Sequence, residues 1–169
     1  QKVHVDYDRT ADFDSYETFA WGPTPETSLE GKSPFMHSRI KNAIEYYLAA
    51  GGGVEDPENP DLYVTYHTGT QEDVQFSTVS YGYGYGPGWG WDPYWGGTMG
   101  NTVTTATTYE RGTLVIDIWD AETKEIVWRG SASATVPEDP QKADKLINKA
   151  LKKMVKQFQK QRAQQAKGK

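Results

Sequence analysis

The C-terminal part of the chain carries an apolar stripe that constrains the fold more than any other feature. Its members recur at alternating spacings of three and one residues and are Ala143, Leu146, Ile147, Ala150, Leu151, Met154, Val155 and Phe158. This period places all of them on one face of an α-helix. The segment Pro137–Pro140 precedes the stripe and predicts the start of the helix. Because one apolar face cannot remain in water, the rest of the chain must supply a surface that covers it.

The segment before this helix is a candidate for that surface. From Glu125 to Val136 the residues alternate in the period of a strand, and one face consists of Ile126, Trp128, Gly130, Ala132, Ala134 and Val136. The small residues at 130, 132 and 134 leave room above the sheet. We therefore expect a helix to pack closely over this strand.

The remaining segments complete an α+β pattern. Strands are predicted over 3–8, 18–21, 62–67, 73–80 and 113–119, and we expect the first two to form a hairpin. A first helix is predicted from Ser33 as N-cap and Pro34 to the terminating Gly51–Gly53. Since no regular βαβ alternation is visible, the predicted fold class is α+β, with an antiparallel sheet of about five to seven strands and two helices packed on one face.

The 169 residues amount to one domain. We predict a single α+β domain over residues 1–160 with an inserted Gly- and aromatic-rich loop over 81–100, followed by a frayed basic tail over 161–169. No apolar run is long enough to cross a membrane. The chain enters strand-like sequence directly after Gln1, without an initiator Met, which suggests a processed N-terminus.

Charge is distributed unevenly along the chain. Residues 141–169 carry ten Lys or Arg and one acid, a net of +9, whereas residues 1–140 carry eight Lys or Arg and 22 acids, a net of −14. The lysines that flank the apolar stripe are Lys142, Lys145, Lys149, Lys152, Lys153, Lys156 and Lys160. They indicate either a solvated helix face or a contact with anionic lipid headgroups or peptidoglycan. Because no aromatic residues are interleaved with them, nucleic acid is not an expected partner.

Recognisable catalytic patterns are absent from the sequence. The chain has no cysteine, and His4, His37 and His67 lack the spacing of metal-binding motifs. The acidic cluster Asp6–Asp14 lacks the glycine and closing Glu of a calcium loop. Ser131 and Ser133 alternate with alanine on a strand, outside any nucleophile elbow. We therefore predict no catalytic residue, no metal site and no cofactor.

The segment Tyr81–Gly100 is the best sequence candidate for binding. Large aromatic residues here alternate with Gly and Pro, and they are Tyr81, Tyr83, Tyr85, Trp89, Trp91, Tyr94 and Trp95. Exposed aromatic rings favour protein and sugar interfaces, since they bring large apolar area at small entropic cost. They can also sit among lipid headgroups, or fold back and cover one end of the sheet.

Several stretches in this order resemble a known family. They are Val5–Trp21, Asn59–His67, the Gly- and aromatic-rich loop, Gly112–Ala134 and Ala143–Phe158. Together they are similar to the bacterial envelope lipoproteins called domain of unknown function 4136. The resemblance implies export and attachment through a lipidated N-terminal cysteine upstream of this sequence, and it transfers no functional residues. One departure is Lys124, where the family often has glycine, which we expect to change the type of hairpin turn.

The expected function is therefore non-enzymatic. We predict an exported lipoprotein domain on the periplasmic side of the cell envelope, lipid-anchored at the outer membrane. It would bind or scaffold a cell-envelope protein or peptidoglycan through the aromatic loop. The alternative is an enzyme or a glycan-binding module that acts on cell-wall material.

Overall fold

The computed structural model describes residues 2–23, 34–69, 111–135 and 137–167. Within them the chain forms a six-stranded sheet and two long helices, which confirms the α+β class. The elements are β1 (Lys2–Tyr7), β2 (Thr18–Trp21), α1 (Pro34–Ala50), β3 (Val54–Glu55), β4 (Leu62–Gly69), β5 (Arg111–Asp120), β6 (Ile126–Thr135) and α2 (Pro140–Lys167). The strand predicted over 73–80 and the loop predicted over 81–100 lie outside the described residues.

The sheet is mostly antiparallel but contains a parallel region. The strand order is β1-β6-β5-β4-β2-β3. The pairs β1–β6, β6–β5 and β5–β4 are antiparallel, whereas β2 pairs in parallel with both β4 and β3. Thus β2, α1 and β4 form one β-α-β connection. All three elements were predicted from the sequence, but their parallel pairing was not, because β2 was expected to pair with β1.

The predicted hairpin between the first two strands is wrong. β1 lies at one edge of the sheet, and β2 lies four places away beside β4. The start of β2 is bonded instead to Asp61, the residue before β4. Its Oδ2 accepts hydrogen bonds from the backbone N–H groups of Glu17 at 2.8 Å and Thr18 at 3.1 Å. Tyr16 also donates from its hydroxyl to Asp120 Oδ2 at 2.9 Å. These bonds hold β2 next to β4 rather than next to β1.

The first helix begins and ends as its sequence predicts. Pro34 is the first helical residue, and Ile40, Ala43 and Ile44 are buried in the core. At the C-terminal end Gly52 has a φ of 94°, a left-handed conformation that glycine adopts without strain. The N–H of Gly53 donates to the carbonyl of Leu48 at 2.9 Å and closes the last turn.

The second helix covers the small residues of β6, as expected. Ala150, Leu151 and Met154 are buried in the same core cluster as Ala132, and Ala143 is buried as well. The approach is closest at Gly130, where an added Cβ would lie 2.8 Å from Met154 Sδ and would collide with the ring of Trp128. Glycine is therefore favoured here because the Trp128 ring and Met154 together leave no space for a side chain.

The C-terminal tail differs from its prediction. A frayed segment was expected over 161–169, but α2 continues to Lys167. Polar side chains hold this extension on the first strand: Gln161 Nε2 donates to the Val5 carbonyl at 3.1 Å, and Tyr7 donates from its hydroxyl to Gln165 Oε1 at 2.6 Å. Because these contacts are polar, the apolar stripe that ends at Phe158 gave no sign of them.

The turn between β5 and β6 contains the residue that departs from the family pattern. Lys124 has a φ of 62°, the left-handed region in which glycine is favoured. Asp120 Oδ1 supports the turn by accepting the N–H groups of Glu122 and Thr123, both at 2.9 Å. The Lys124 ammonium lies 4.5 Å from the centre of the Tyr63 ring. The lysine thus occupies a glycine-like conformation, and its side chain is held by an aromatic neighbour.

Replacement of Gly130 by alanine tests the helix–sheet contact. Because the new methyl group would displace Met154 and Trp128, we expect Gly130→Ala to lower the free energy of unfolding by about 1–3 kcal/mol. Chemical denaturation measures this change. Gly51→Ala is the matched control, since a Cβ there would lie 3.6 Å from its nearest neighbour, an ordinary contact distance. Equal stability of the two variants would contradict the close packing.

Candidate functional site

The aromatic residues that were predicted from the sequence to form a binding surface lie outside the described residues. They are Tyr81, Tyr83, Tyr85, Trp89, Trp91, Tyr94 and Trp95. Their role as a binding surface remains a prediction from sequence. Among the described residues two other features have functional chemistry: a buried charged cluster in the sheet and an exposed lysine face on α2.

The buried charged cluster consists of His67, Asp117 and Arg129. They come from three neighbouring strands, β4, β5 and β6, and all are almost completely buried. Asp117 lies between Ile116 and Ile118, which pack towards the helices. Because successive side chains of a strand point to opposite faces, the cluster lies on the face away from the helices.

The strand register brings the three side chains together. Asp117 is directly opposite Arg129 on one side and Thr65 on the other. Arg129 Nε donates to Asp117 Oδ1 at 2.6 Å, a short charge-assisted hydrogen bond. His67 Nε2 lies 3.6 Å from Asp117 Oδ2, beyond normal hydrogen-bond length. The Asp117–Arg129 pair is therefore the central interaction of the cluster.

The environment shifts the titration of two of these groups. Burial alone would raise the pKa of Asp117, but the Arg129 guanidinium and His67 outweigh it and hold that pKa below its usual value of 3.8. Burial also lowers the pKa of His67 below its usual 6.5, against the opposing effect of Asp117. At neutral pH the cluster therefore contains a carboxylate, a guanidinium and a neutral imidazole.

This arrangement resembles part of a catalytic triad only in composition. Ser131 is buried on β6, but Val115 of β5 lies between it and His67 in the strand register. Two strand spacings of about 9–10 Å therefore separate the backbones of Ser131 and His67, and the two residues are not direct cross-strand neighbours. The Asp117 charge is instead neutralised by Arg129 within the sheet.

Nothing in the described part of the chain gathers three or more His, Asp or Glu residues into a metal-binding group. His4 is exposed on β1, and His37 on α1 makes a hydrogen bond with the hydroxyl of Tyr66. The three histidines thus occupy three separate environments. The His67 cluster was not predicted from the sequence, because Asp117 and Arg129 occupy polar positions of alternating strands, where solvent exposure is the usual outcome. The signal was that Val115 and Trp119 share a face with Asp117.

The lysine face of α2 is formed by seven exposed residues. They are Lys142, Lys145, Lys149, Lys152, Lys153, Lys156 and Lys160. At about 100° per residue they fall within an arc of about 100° on the side of the helix away from Ala143, Ala150 and Met154. The face is about 27 Å long, since the helix rises about 1.5 Å per residue. The lysine pattern that the sequence indicated is therefore a single continuous surface.

The charge of this surface is not neutralised within the described chain. The ion pairs that involve α2 there are Arg39–Asp144 at 3.3 Å and Arg162–Asp14 at 3.2 Å. None of the seven lysines makes an ion pair with a described residue. The one acidic residue of the helix, Asp144, is occupied by Arg39 of α1. The lysine ammonium groups are consequently presented to solvent.

These features define the class of protein: an α+β domain in which two helices cover one face of a mostly antiparallel six-stranded sheet. The family described as Domain of unknown function (DUF4136) matches residues 3–158 of the chain, and the chain therefore belongs to this family. Among curated proteins no relative matches. No helix of the described residues is long and apolar enough to cross a membrane.

Solved structures are similar to the chain at low sequence identity, and one of them has a TM-score above 0.5. A PDZ domain protein from Parabacteroides distasonis ATCC 8503 is 16% identical with a TM-score of 0.55, covering 92% of this chain and 35% of that one. The chain thus spans about a third of that protein. Two PelC dodecamer structures from Paraburkholderia phytofirmans have TM-scores of 0.42 and 0.40 at 14% and 13% identity. They cover 89% of this chain and 93% and 94% of theirs.

The buried histidine predicts a specific pH dependence of stability. Because the pKa of His67 is lowered on folding, the unfolded chain binds a proton at this position more readily than the folded chain. Its contribution should therefore make the protein less stable as pH falls from about 6.5 towards the lowered pKa. We expect His67→Gln to show a smaller loss of unfolding free energy than the parent between about pH 7.5 and pH 5.5.

Urea denaturation at each pH measures this difference. The lowered pKa of Asp117 acts in another window, since its stabilising effect is present above pH 3.8 and is lost only as pH falls through the folded-state pKa. His4→Gln is the control, because His4 is exposed on β1. The same pH dependence in His67→Gln and the parent would contradict the assignment.

Proposed function

We propose that this chain is a non-enzymatic, exported lipoprotein domain that binds or scaffolds at the periplasmic side of the cell envelope, anchored at the outer membrane. The observation that carries the binding role is the lysine face of α2, which is exposed and has no ion-pair partner in the described structure. The proposed location follows from the resemblance to envelope lipoproteins.

The buried cluster is consistent with a structural rather than a catalytic role. The Asp117 carboxylate is paired with Arg129 and lies within the sheet. A buried ion pair of this kind specifies strand partners, because removing one member leaves an uncompensated charge that costs about 3–5 kcal/mol. The described residues thus present an exposed positive surface, the lysine face of α2, rather than a pair of groups arranged for catalysis.

The aromatic segment supplies the second proposed contact. Seven Tyr and Trp residues lie between Tyr81 and Trp95, separated mainly by Gly and Pro. Such rings stack on sugars and fill interface pockets, so peptidoglycan and cell-envelope proteins are the proposed partners. A purely glycan-binding role is the form of this proposal that the aromatic composition favours most directly.

Co-sedimentation with isolated peptidoglycan sacculi tests the aromatic contact. We expect the parent protein to pellet with sacculi and the triple variant Trp89→Ala, Trp91→Ala, Trp95→Ala to lose most of this binding. The expected loss is at least about tenfold in apparent affinity, since interface Trp residues commonly contribute more than about 1 kcal/mol each.

The triple variant Thr98→Ala, Met99→Ala, Asn101→Ala is the matched control, because it changes three non-aromatic residues close by in the sequence. Circular dichroism establishes that each variant is folded. Equal pelleting of the two triple variants would exclude an aromatic wall contact. Loss of folding in the Trp variant alone would assign these rings to the core.

A further inference from the structure

The lysine face of α2 has the shape of a contact line rather than a pocket. Its seven ammonium groups occupy one side of a single helix over about 27 Å. Nothing in their arrangement converges on a point, as the ligands of a small anion would. A linear, one-sided display of charge matches an extended anionic surface that is flat on the same scale.

The rest of α2 fixes the orientation of this face. Its opposite side packs on the sheet through Leu151 and Met154. Gln161 and Gln165 donate to backbone carbonyls of the N-terminal segment, both at 3.1 Å. The Arg162 guanidinium lies over the Phe13 and Phe158 rings, 5.6 Å from each centre. These contacts fix the orientation of the helix, so the lysines lie on its outward side.

The chemistry of the lysine face favours nonspecific attraction to charge. All seven cations are lysines, whose ammonium groups are compact, strongly hydrated charges on flexible stems. The arginines of α2 and α1, Arg162 and Arg39, pair with acidic residues of the domain instead. Lysines suit a fluid surface in which anions can rearrange, whereas recognition of a defined anionic group favours the fixed fork of arginine.

The lysine face also lacks large apolar side chains that could insert into a membrane. The exposed large apolar side chains among the described residues are Phe35, Tyr46 and Val54, and none lies on α2. A helix with lysines and no large exposed apolar side chain lies on a headgroup layer without entering the hydrocarbon. Each lysine near an anionic bilayer contributes favourably, and the attraction falls off within a Debye length.

From these observations we propose that the lysine face of α2 docks on a lipid bilayer that carries anionic phospholipid headgroups. This inference deepens the proposed binding role and rests on it, but it does not involve the aromatic segment. It identifies the membrane surface as the partner of the lysine face. It also predicts that the association is electrostatic and is therefore weakened by salt. Because the whole chain has a net charge of −5, such association requires a local basic surface.

Vesicle co-sedimentation tests the proposal on the full chain. The probes are vesicles of phosphatidylcholine alone and of phosphatidylcholine mixed with phosphatidylglycerol. We expect binding only to the mixed vesicles, at low salt, with release at high salt. We expect Lys149→Gln, Lys153→Gln, Lys156→Gln to lower the partition coefficient about 100-fold.

Two variants separate the face from net charge and from folding. Ser38→Glu, Asn42→Glu, Ala49→Glu makes the same change of −3 on exposed positions of α1, and it should bind like the parent if the lysine face is the contact. Lys149→Arg, Lys153→Arg, Lys156→Arg keeps the charge and should also bind like the parent. Circular dichroism verifies that all variants are folded.

The opposite results overturn the proposal. Equal binding of the parent and the Gln variant, binding to phosphatidylcholine alone, or insensitivity to salt would each exclude electrostatic docking by this face. Binding to sacculi that the Gln variant loses, without vesicle binding, would assign the face to a wall polymer instead. The Trp variant should bind vesicles like the parent, so failure of the aromatic contact and failure of the lysine contact give different results.

Discussion

The contact between α2 and the sheet at Gly130 determines much of the remaining structure. The absence of a side chain at this position lets Met154 approach β6, and the helix then covers both β6 and the edge strand β1. An edge strand with one neighbour gains stability from such a cover. The same packing decides which side of α2 faces water. The lysine face is thus a geometric consequence of the apolar stripe that opposes it.

The two faces of the sheet differ in whether they bury charged side chains. The helix-covered face is mainly apolar, whereas the opposite face holds Asp117 and Arg129 as a buried pair. Such a pair adds little net stability compared with apolar residues, because both charges lose their hydration. It does favour one register, since a shift of one strand by a single residue would separate the carboxylate from the guanidinium. The pair therefore favours the observed alignment of β5 and β6.

Long, periodic segments could be predicted from the sequence, whereas strand partners and contacts that depend on polar groups could not. The core residues of α2 and the close approach at Gly130 followed from apolar spacing and residue size. The position of β2 in the sheet could not be predicted, because it depends on hydrogen bonds from backbone N–H groups to the Asp61 carboxylate. The extension of α2 to Lys167 was missed because Gln161 and Gln165 hold it through polar contacts. The charged cluster was missed since burial of Asp117 depends on tertiary structure.

One side of α2 packs on the sheet, and the other is the side proposed to meet an anionic surface. Lysine acetylation followed by mass spectrometry, with and without vesicles containing phosphatidylglycerol, measures this contact directly. We expect vesicles to protect Lys149, Lys153 and Lys156 from acetylation and to leave Lys2 on β1 as reactive as before. Equal reactivity of all four lysines in the presence and absence of vesicles would contradict it.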